Sequence, residues 1–185
     1  ENAERMYGDS NPKFTRSYLG FKSSDTEETA FSSLPMISCS VFKTSDVGNY
    51  PITVNGGTSR NYEIVAYEDG VLKITKAPLI LTASDNSRLY FEDNPSFDYT
   101  LSGLRNSDTK SCLSVQPMFT CTATKTSNVG DYVIEPSKAS ATNYNIEYRP
   151  GTLSVNRRQL EASVGNYTRI YGEDNPEFEI VYVGF

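Results

Sequence analysis

The sequence predicts tandem modules, predominantly β, each carrying one short helical segment. Three observations predict this. The stretch "YGEDNP" from Tyr171 occurs nearly unchanged as "YGDSNP" from Tyr7 and "YFEDNP" from Tyr90, at spacings of 83 and 81 residues, and self-similarity at a fixed period marks a repeat architecture. Between the matched loops, apolar and polar residues alternate with period two, the signature of a strand. The 13 tyrosines, with abundant Ser and Thr and no Trp or His, suit a pleated, half-buried surface.

Setting Tyr7 on Tyr90 brings further motifs into line. "GFKSSD" (Gly20 to Asp25) meets "GLRNSD" (Gly103 to Asp108), and "VGNY" (Val47, Gly48, Tyr50) meets "VGDY" (Val129, Gly130, Tyr132). "NY" at Asn61 and Tyr62 meets "NY" at Asn143 and Tyr144, and "GVLKIT" from Gly70 meets "GTLSVN" from Gly151. A third copy, with Tyr171, Gly172, Asn175 and Pro176, runs to "GF" at Gly184 and Phe185.

Each element has a local reason. Asn11-Pro12 and Asn94-Pro95 end a loop and begin a strand, because the residue before proline is pushed to extended backbone and proline lacks a ladder donor. Asp and Asn in that loop are expected to close Asx turns. Gly8 and Gly172 predict a left-handed or crowded backbone, with Phe91 as the exception in the second copy. Strands are predicted at 36–42, 50–54, 62–67 and 71–75, with counterparts near 118–124, 132–135, 144–148 and 152–156, and alternation places others near 79–83 and 97–102. Gly70 and Gly151 each close a hairpin turn and are expected at positive φ. The segments 23–31 and 106–115 break the alternation; Ser24 with Glu27 has capping-box spacing, and Ser107 or Asp108 is expected to cap the equivalent turn in the second copy. An immunoglobulin-like sandwich would accommodate the same six or so strands; the helical segments favour an α+β arrangement.

Charge narrows the function. With 17 basic and 23 acidic residues and no basic cluster longer than Arg157-Arg158, nucleic acid and anionic membrane are poor partners. No apolar run approaches the ~20 residues of a membrane span. Because the chain opens within a repeat, we expect it to be an excerpt of a longer protein.

Catalysis lacks its usual tools. Without His the common general base and zinc ligand are missing, and the sequence carries no Gly-rich phosphate loop, nucleophile elbow or CxxC pair. The carboxylate pairs Glu92-Asp93 and Glu173-Asp174 fall in the repeated loop, where a turn is the simpler role. No catalytic residue, metal site or cofactor is therefore expected; a calcium set is not kept, since the first copy offers only Asp9, Ser10 and Asn11. Cys39 and Cys121 are equivalent and expected to face inward as small hydrophobes. Cys112 aligns with Ala30, and free thiols are expected, a Cys112–Cys121 disulfide being the alternative. Most tyrosines fall at matched, structural positions, leaving Phe91 and Tyr167 as the candidate ligand-binding residues.

Tyr-Gly-x-x-Asn-Pro, Gly-Phe/Leu-x-x-x-Asp, Ser-x-Val-Gly-x-Tyr, Asn-Tyr and Gly-x-Leu-x-Val/Ile in that order resemble the MBG domain of the YGX type, a tandem module of bacterial extracellular proteins common in Bacteroidetes. The resemblance spans 1–76 as a module lacking its first strand, 77–157 as a complete module and 158–185 as the start of a third. It implies a β-grasp-like fold related to mucin-binding repeats, at the cell surface or secreted. Together with the short connections "TKAP" and "NRRQ", which are not flexible linkers, it implies a semi-rigid spacer whose partners are neighbouring modules of the same longer chain. The alternatives are an adhesin for host glycan, mucin or protein, and an accessory module of a secreted hydrolase.

Overall fold

The structure, a computed structural model, describes residues 1–184, so the final residue of the "GF" pair, Phe185, lies outside the described residues. The first repeat contains β1 (Ala3–Met6), helix α1 (Glu27–Ala30), β2 (Phe31–Ser33), β3 (Met36–Ser38), β4 (Gly48–Asn55), β5 (Thr58–Ser59) and β6 (Gly70–Thr75). The second contains β7 (Ala77–Ala83), β8 (Asn86–Leu89), β9 (Tyr99–Ser102), a 3-10 turn (Lys110–Cys112), β10 (Leu113–Val115), β11 (Met118–Cys121), β12 (Gly130–Ser137), β13 (Ser140–Ala141), β14 (Tyr144–Arg149) and β15 (Gly151–Asn156). β16 (Glu161–Val164) and β17 (Ile180–Val183) belong to the third. The protein is thus mostly β, with one helical turn in each of the first two repeats.

The repeats share one topology. β1-β6-β4-β3 form a sheet in the first, and β8-β15-β12-β11 form its counterpart in the second. In both, the opening strand runs parallel to the last, Arg5 opposite Ile74 and Arg88 opposite Val155. β14-β7-β9 make a further sheet, with β7 parallel to β14. These parallel pairs separate the fold from the antiparallel sheets of the sandwich alternative.

Two compact units result: residues 1–82, 100–118 and 137–149 in one, and 83–99, 119–136 and the described residues from 150 onward in the other. In the first, Leu72, Ile74 and Ile52 fill the interior of the β1-β6-β4-β3 sheet, while Ala77, Leu79 and Leu81 of β7 are fully buried. In the second, Ala83, Ala123, Ile134 and Leu153 form a core against which Phe97, Phe119, Cys121 and Tyr132 pack. Alternation explains both, since every second residue of β6, β7 and β15 is buried.

Several local expectations change. Residues 62–67 are not a strand, whereas 144–149 are and pair along β7; the first repeat carries seven residues between Tyr62 and Gly70 where the second carries six between Tyr144 and Gly151. The strands expected at 36–42 and 118–124 end at Ser38 and Cys121. Gly70 and Gly151 are not among the positive-φ glycines. Their requirement is space, because a Cβ on Gly151 would stand 2.6 Å from the Ala83 carbonyl oxygen and one on Gly70 would collide with that of Glu1. The helical turns start later than predicted, at Thr26 and Thr109. The Thr26 N–H donates to Thr29 Oγ1 at 2.8 Å, and Asp25 and Asp108, the residues before these caps, are engaged elsewhere.

Candidate functional site

Two side-chain devices recur in the repeats. The first is built on the opening strand of each. Arg5 and Arg88, 6% and 5% exposed, are the buried charged residues among the described residues, and each is wrapped by its own loop. Arg5 Nε donates to Asn11 Oδ1 (2.7 Å), Nη1 to the Met6 carbonyl (3.1 Å) and Nη2 to the Phe42 carbonyl (2.6 Å). Arg88 repeats this with Asn94 Oδ1 (2.8 Å), the Leu89 carbonyl (3.1 Å) and the Thr124 carbonyl (2.6 Å). The asparagine amides in turn donate to the Val41 and Ala123 carbonyls. A buried guanidinium is tolerable only when its donors are met, so the asparagine of "NP" serves the arginine. The Asx turn expected of it is not its role.

The second device joins the "GFKSSD" and "NY" motifs. Tyr62 Oη donates to Asp25 Oδ2 at 2.5 Å and accepts from the Lys22 N–H at 3.1 Å. Tyr144 Oη does the same with Asp108 Oδ2 (2.6 Å) and the Arg105 N–H (2.9 Å). The chain reaches this geometry by passing through left-handed backbone, at Ser23 (φ 56°) and at Asn106 and Ser107 (φ 52° and 65°), a region that disfavours side chains other than short polar ones.

In the first compact unit these devices meet as a joint between repeats. Tyr7, 4% exposed, donates from Oη to Asp108 Oδ2 (3.1 Å) and packs edge-on against Tyr144 with ring centres 5.5 Å apart. Asp9 pairs with Arg105 Nη1 at 2.7 Å. Asn106 donates to the Lys43 carbonyl, and Asn143 accepts from the Val47 N–H and donates to Asp46 Oδ1 at 2.7 Å. Gly8 sits at φ 87° with its α-carbon facing Arg105, whose Cβ would lie 2.7 Å from any side-chain carbon there. The "YG" and "VG" motifs of one repeat therefore face the "RNSD" and "NY" motifs of the next.

Burial, and then the hydrogen bond to the Asp108 carboxylate, push the Tyr144 hydroxyl well above its ordinary value; burial does the same for Tyr7. A folded-state value raised above the unfolded one contributes stability that is complete below the unfolded value of about 10 and is lost as pH rises beyond it. Denaturation from pH 8 to 11.5 should show the stability difference between the native chain and Tyr144→Phe constant to about pH 9.5. It should then shrink by up to about 1.4 kcal/mol per pH unit.

The candidate ligand residues are placed differently. Phe91 is 50% exposed at φ 68°, with Lys125 Nζ 5.3 Å from its ring centre. Tyr167 is 39% exposed but occupied, edge-on to Phe178 and accepting from the Glu179 N–H. Cys39, Cys112 and Cys121 are free and half-buried. Among the described residues no group of three or more Cys, Asp or Glu is placed to hold a metal ion, and no helix is long and apolar enough to cross a membrane.

The sequence model of the MBG domain (YGX type) matches residues 1–73 and 79–154. The chain belongs to that family. MBG domains are typically extracellular repeat modules, and theirs is not a known enzyme family. No curated protein and no solved structure matches the chain significantly.

The MBG motif residues thus divide into those that hold a repeat together (Asn11, Asp25, Tyr62, Asn94) and those that also meet a neighbour (Tyr7, Gly8, Val47, Asp108, Asn143, Tyr144). The residues missed from sequence include Lys43, Asp46, Arg105 and Asn106 at the joint and, in the first device, Arg5 and Arg88. The signal of the last two was present as "RMY", "RLY" and "RIY" ahead of the three loops, hidden because a charged residue inside a strand reads as its solvent face.

Proposed function

We propose that these MBG repeats act as a non-catalytic, semi-rigid spacer in a secreted or surface-anchored bacterial protein, holding another domain away from the cell. The joint carries this reading. Two repeats tied only by a peptide would sweep a wide range of angles; hydrogen bonds and an ion pair from motif residues of both sides restrict them, and a partly buried charged bond contributes more than an exposed one. Neighbouring modules of the same chain are then the principal partners.

The test leaves the interior of each repeat intact. In the native chain, 15N relaxation should give residues 1–76 the same correlation time as 100–118 and 137–149. In the double variant Asp9→Ala/Asp46→Ala, which removes contacts made only across the joint, the two sets should separate. Separate correlation times in the native chain would end the spacer reading.

One observation favours a second reading, adhesion to host glycan, mucin or another protein. Phe91 holds a bulky side chain in left-handed backbone, a strained arrangement that persists where something gains from it, and it stands half exposed beside Tyr90, 38% exposed. Aromatic faces of this kind suit sugars and protein hot spots. Saturable binding of the native chain to purified mucin or a glycan array, lost in Phe91→Ala, would favour the adhesin; no binding by folded chain would remove it.

A further inference from the structure

We infer that the position after the opening tyrosine of each loop, Gly8 in the first repeat and Phe91 in the second, decides which repeat can follow. The second repeat's outgoing face excludes any neighbour that bears a side chain at the place of Arg105. This deepens the spacer reading, because it rests on the joint that carries that reading.

The joint leaves no room for a side chain at Gly8. A Cβ built there would stand 2.7 Å from Arg105 Cβ, 3.0 Å from its Cγ and 3.1 Å from its Cδ, inside the about 3.5–4.0 Å at which two carbons rest. A side chain's far end can rotate aside, whereas a Cβ is fixed by its backbone. Any residue but glycine at this place therefore displaces the backbone of one repeat against the other.

The second repeat carries the excluded atom. Its loop is built as the first one is: the Tyr7 N–H donates to the Thr75 carbonyl and that of Tyr90 to the Asn156 carbonyl, both at 2.8 Å. The Asp9 N–H returns to the Met6 carbonyl at 3.2 Å, and the Glu92 N–H to that of Leu89 at 3.3 Å. Phe91, at φ 68°, shares the left-handed backbone of Gly8 at φ 87°. Its Cβ thus points where one on Gly8 would point. The counterpart of Arg105 in the first repeat is Lys22, whose N–H meets Tyr62 Oη as that of Arg105 meets Tyr144 Oη, so both repeats bear a side chain there. In the geometry of the first joint the second repeat can be followed neither by itself nor by the first, a selection made by clash.

The charges around the position differ in the same sense. The first repeat's outgoing face offers Asp9 to Arg105 and Asp46 to Asn143. The second has Glu92, whose Oε2 accepts from the Leu89 N–H of its own turn at 2.9 Å, and the neutral Asn128. It also sets the Lys125 ammonium 5.3 Å from the Phe91 ring centre. An arginine brought to this face would lose its ion pair and meet a like charge. The third loop returns to glycine, Gly172 at φ 92°, so outgoing faces fall into two kinds. The partner that fits the Phe91 kind is a repeat with glycine at the place of Arg105.

The test moves the phenylalanine to the first joint of the full chain. Gly8→Phe should give residues 1–76 a 15N correlation time separate from that of 100–118 and 137–149. It should also speed exchange of the Val47 amide, which donates to Asn143 Oδ1 at 3.0 Å across the joint, by about tenfold or more. Gly8→Phe/Arg105→Gly should restore both readings, because glycine opens the space and keeps the N–H that Tyr144 Oη accepts. Arg105→Gly alone should leave a common correlation time. A Gly8→Phe chain with the native readings, or a double variant that does not recover them, overturns the proposal and leaves the spacer reading standing; separate correlation times in the native chain end both. The amides of β4 and β6 report whether the first repeat stays folded. If Gly8→Phe loosens them, Gly8→Asn, a residue that accepts left-handed backbone and carries the same Cβ, is read by the same criteria.

Discussion

Replacing Asp108 by alanine destabilises the first compact unit by about 2–4 kcal/mol. One carboxylate oxygen accepts from both Tyr144 and Tyr7, and these tyrosines are 2% and 4% exposed. Alanine leaves two buried hydroxyls without their acceptor, and the cost of an unmet buried donor exceeds the net worth of the bond it made. Asp25→Ala serves as the internal comparison. Its tyrosine, Tyr62, is only half-buried and has water as a substitute, so a loss near 1 kcal/mol is expected. Denaturant unfolding followed by exchange at amides of the first unit measures both; equal losses would mean that burial of the tyrosines is not what gives the bond its weight.

Arg88→Ala should cost the second unit about 3 kcal/mol or more. The guanidinium satisfies Asn94 Oδ1 and the Leu89 and Thr124 carbonyls at once, and its removal leaves these acceptors facing a void. Arg88→Met separates the two contributions, because it restores most of the stem's volume without its donors. If the methionine variant is as stable as the native chain, packing and not the hydrogen-bond cage accounts for the arginine repeated at this position. Asn94→Ala should cost less than Arg88→Ala, since it breaks one of the arginine's three bonds and one bond to the Ala123 carbonyl.

How much of this was legible in the sequence depended on the physics of each element. Strands with a buried face, such as 71–75 and 152–156, announce themselves by alternation. The repeat period brought the loops of the joint into line, and of the motif residues Tyr7, Gly8, Val47, Asp108, Asn143 and Tyr144 take part in its contacts. What could not be read was which partner each polar motif residue takes. Asp108 and Ser107 have the composition of a helix cap, and Asp108 is instead claimed by a tyrosine 36 residues away, a tertiary bond that leaves the cap to Thr109. Strand β8 was missed because Arg88 occupies its buried position. The strand expected at 62–67 does not form: Tyr62 and Ile64 keep alternate burial, but none of its residues is paired in a sheet.

The joint has one further consequence. Its two sides are different surfaces, tyrosine, lysine and aspartate from one repeat meeting arginine, aspartate and asparagine from the next, so the contact is heterologous and head-to-tail. Such a contact has polarity and no built-in stopping point. At the level of the gene, an in-frame gain or loss of one whole period of about 82 residues, between the 81 and 83 separating the loops, keeps that polarity, while the side chains that meet differ from copy to copy: Gly8, Asp9 and Asp46 stand where the second repeat has Phe91, Glu92 and Asn128. The number of repeats can then change in whole steps by unequal recombination while every contact keeps its direction.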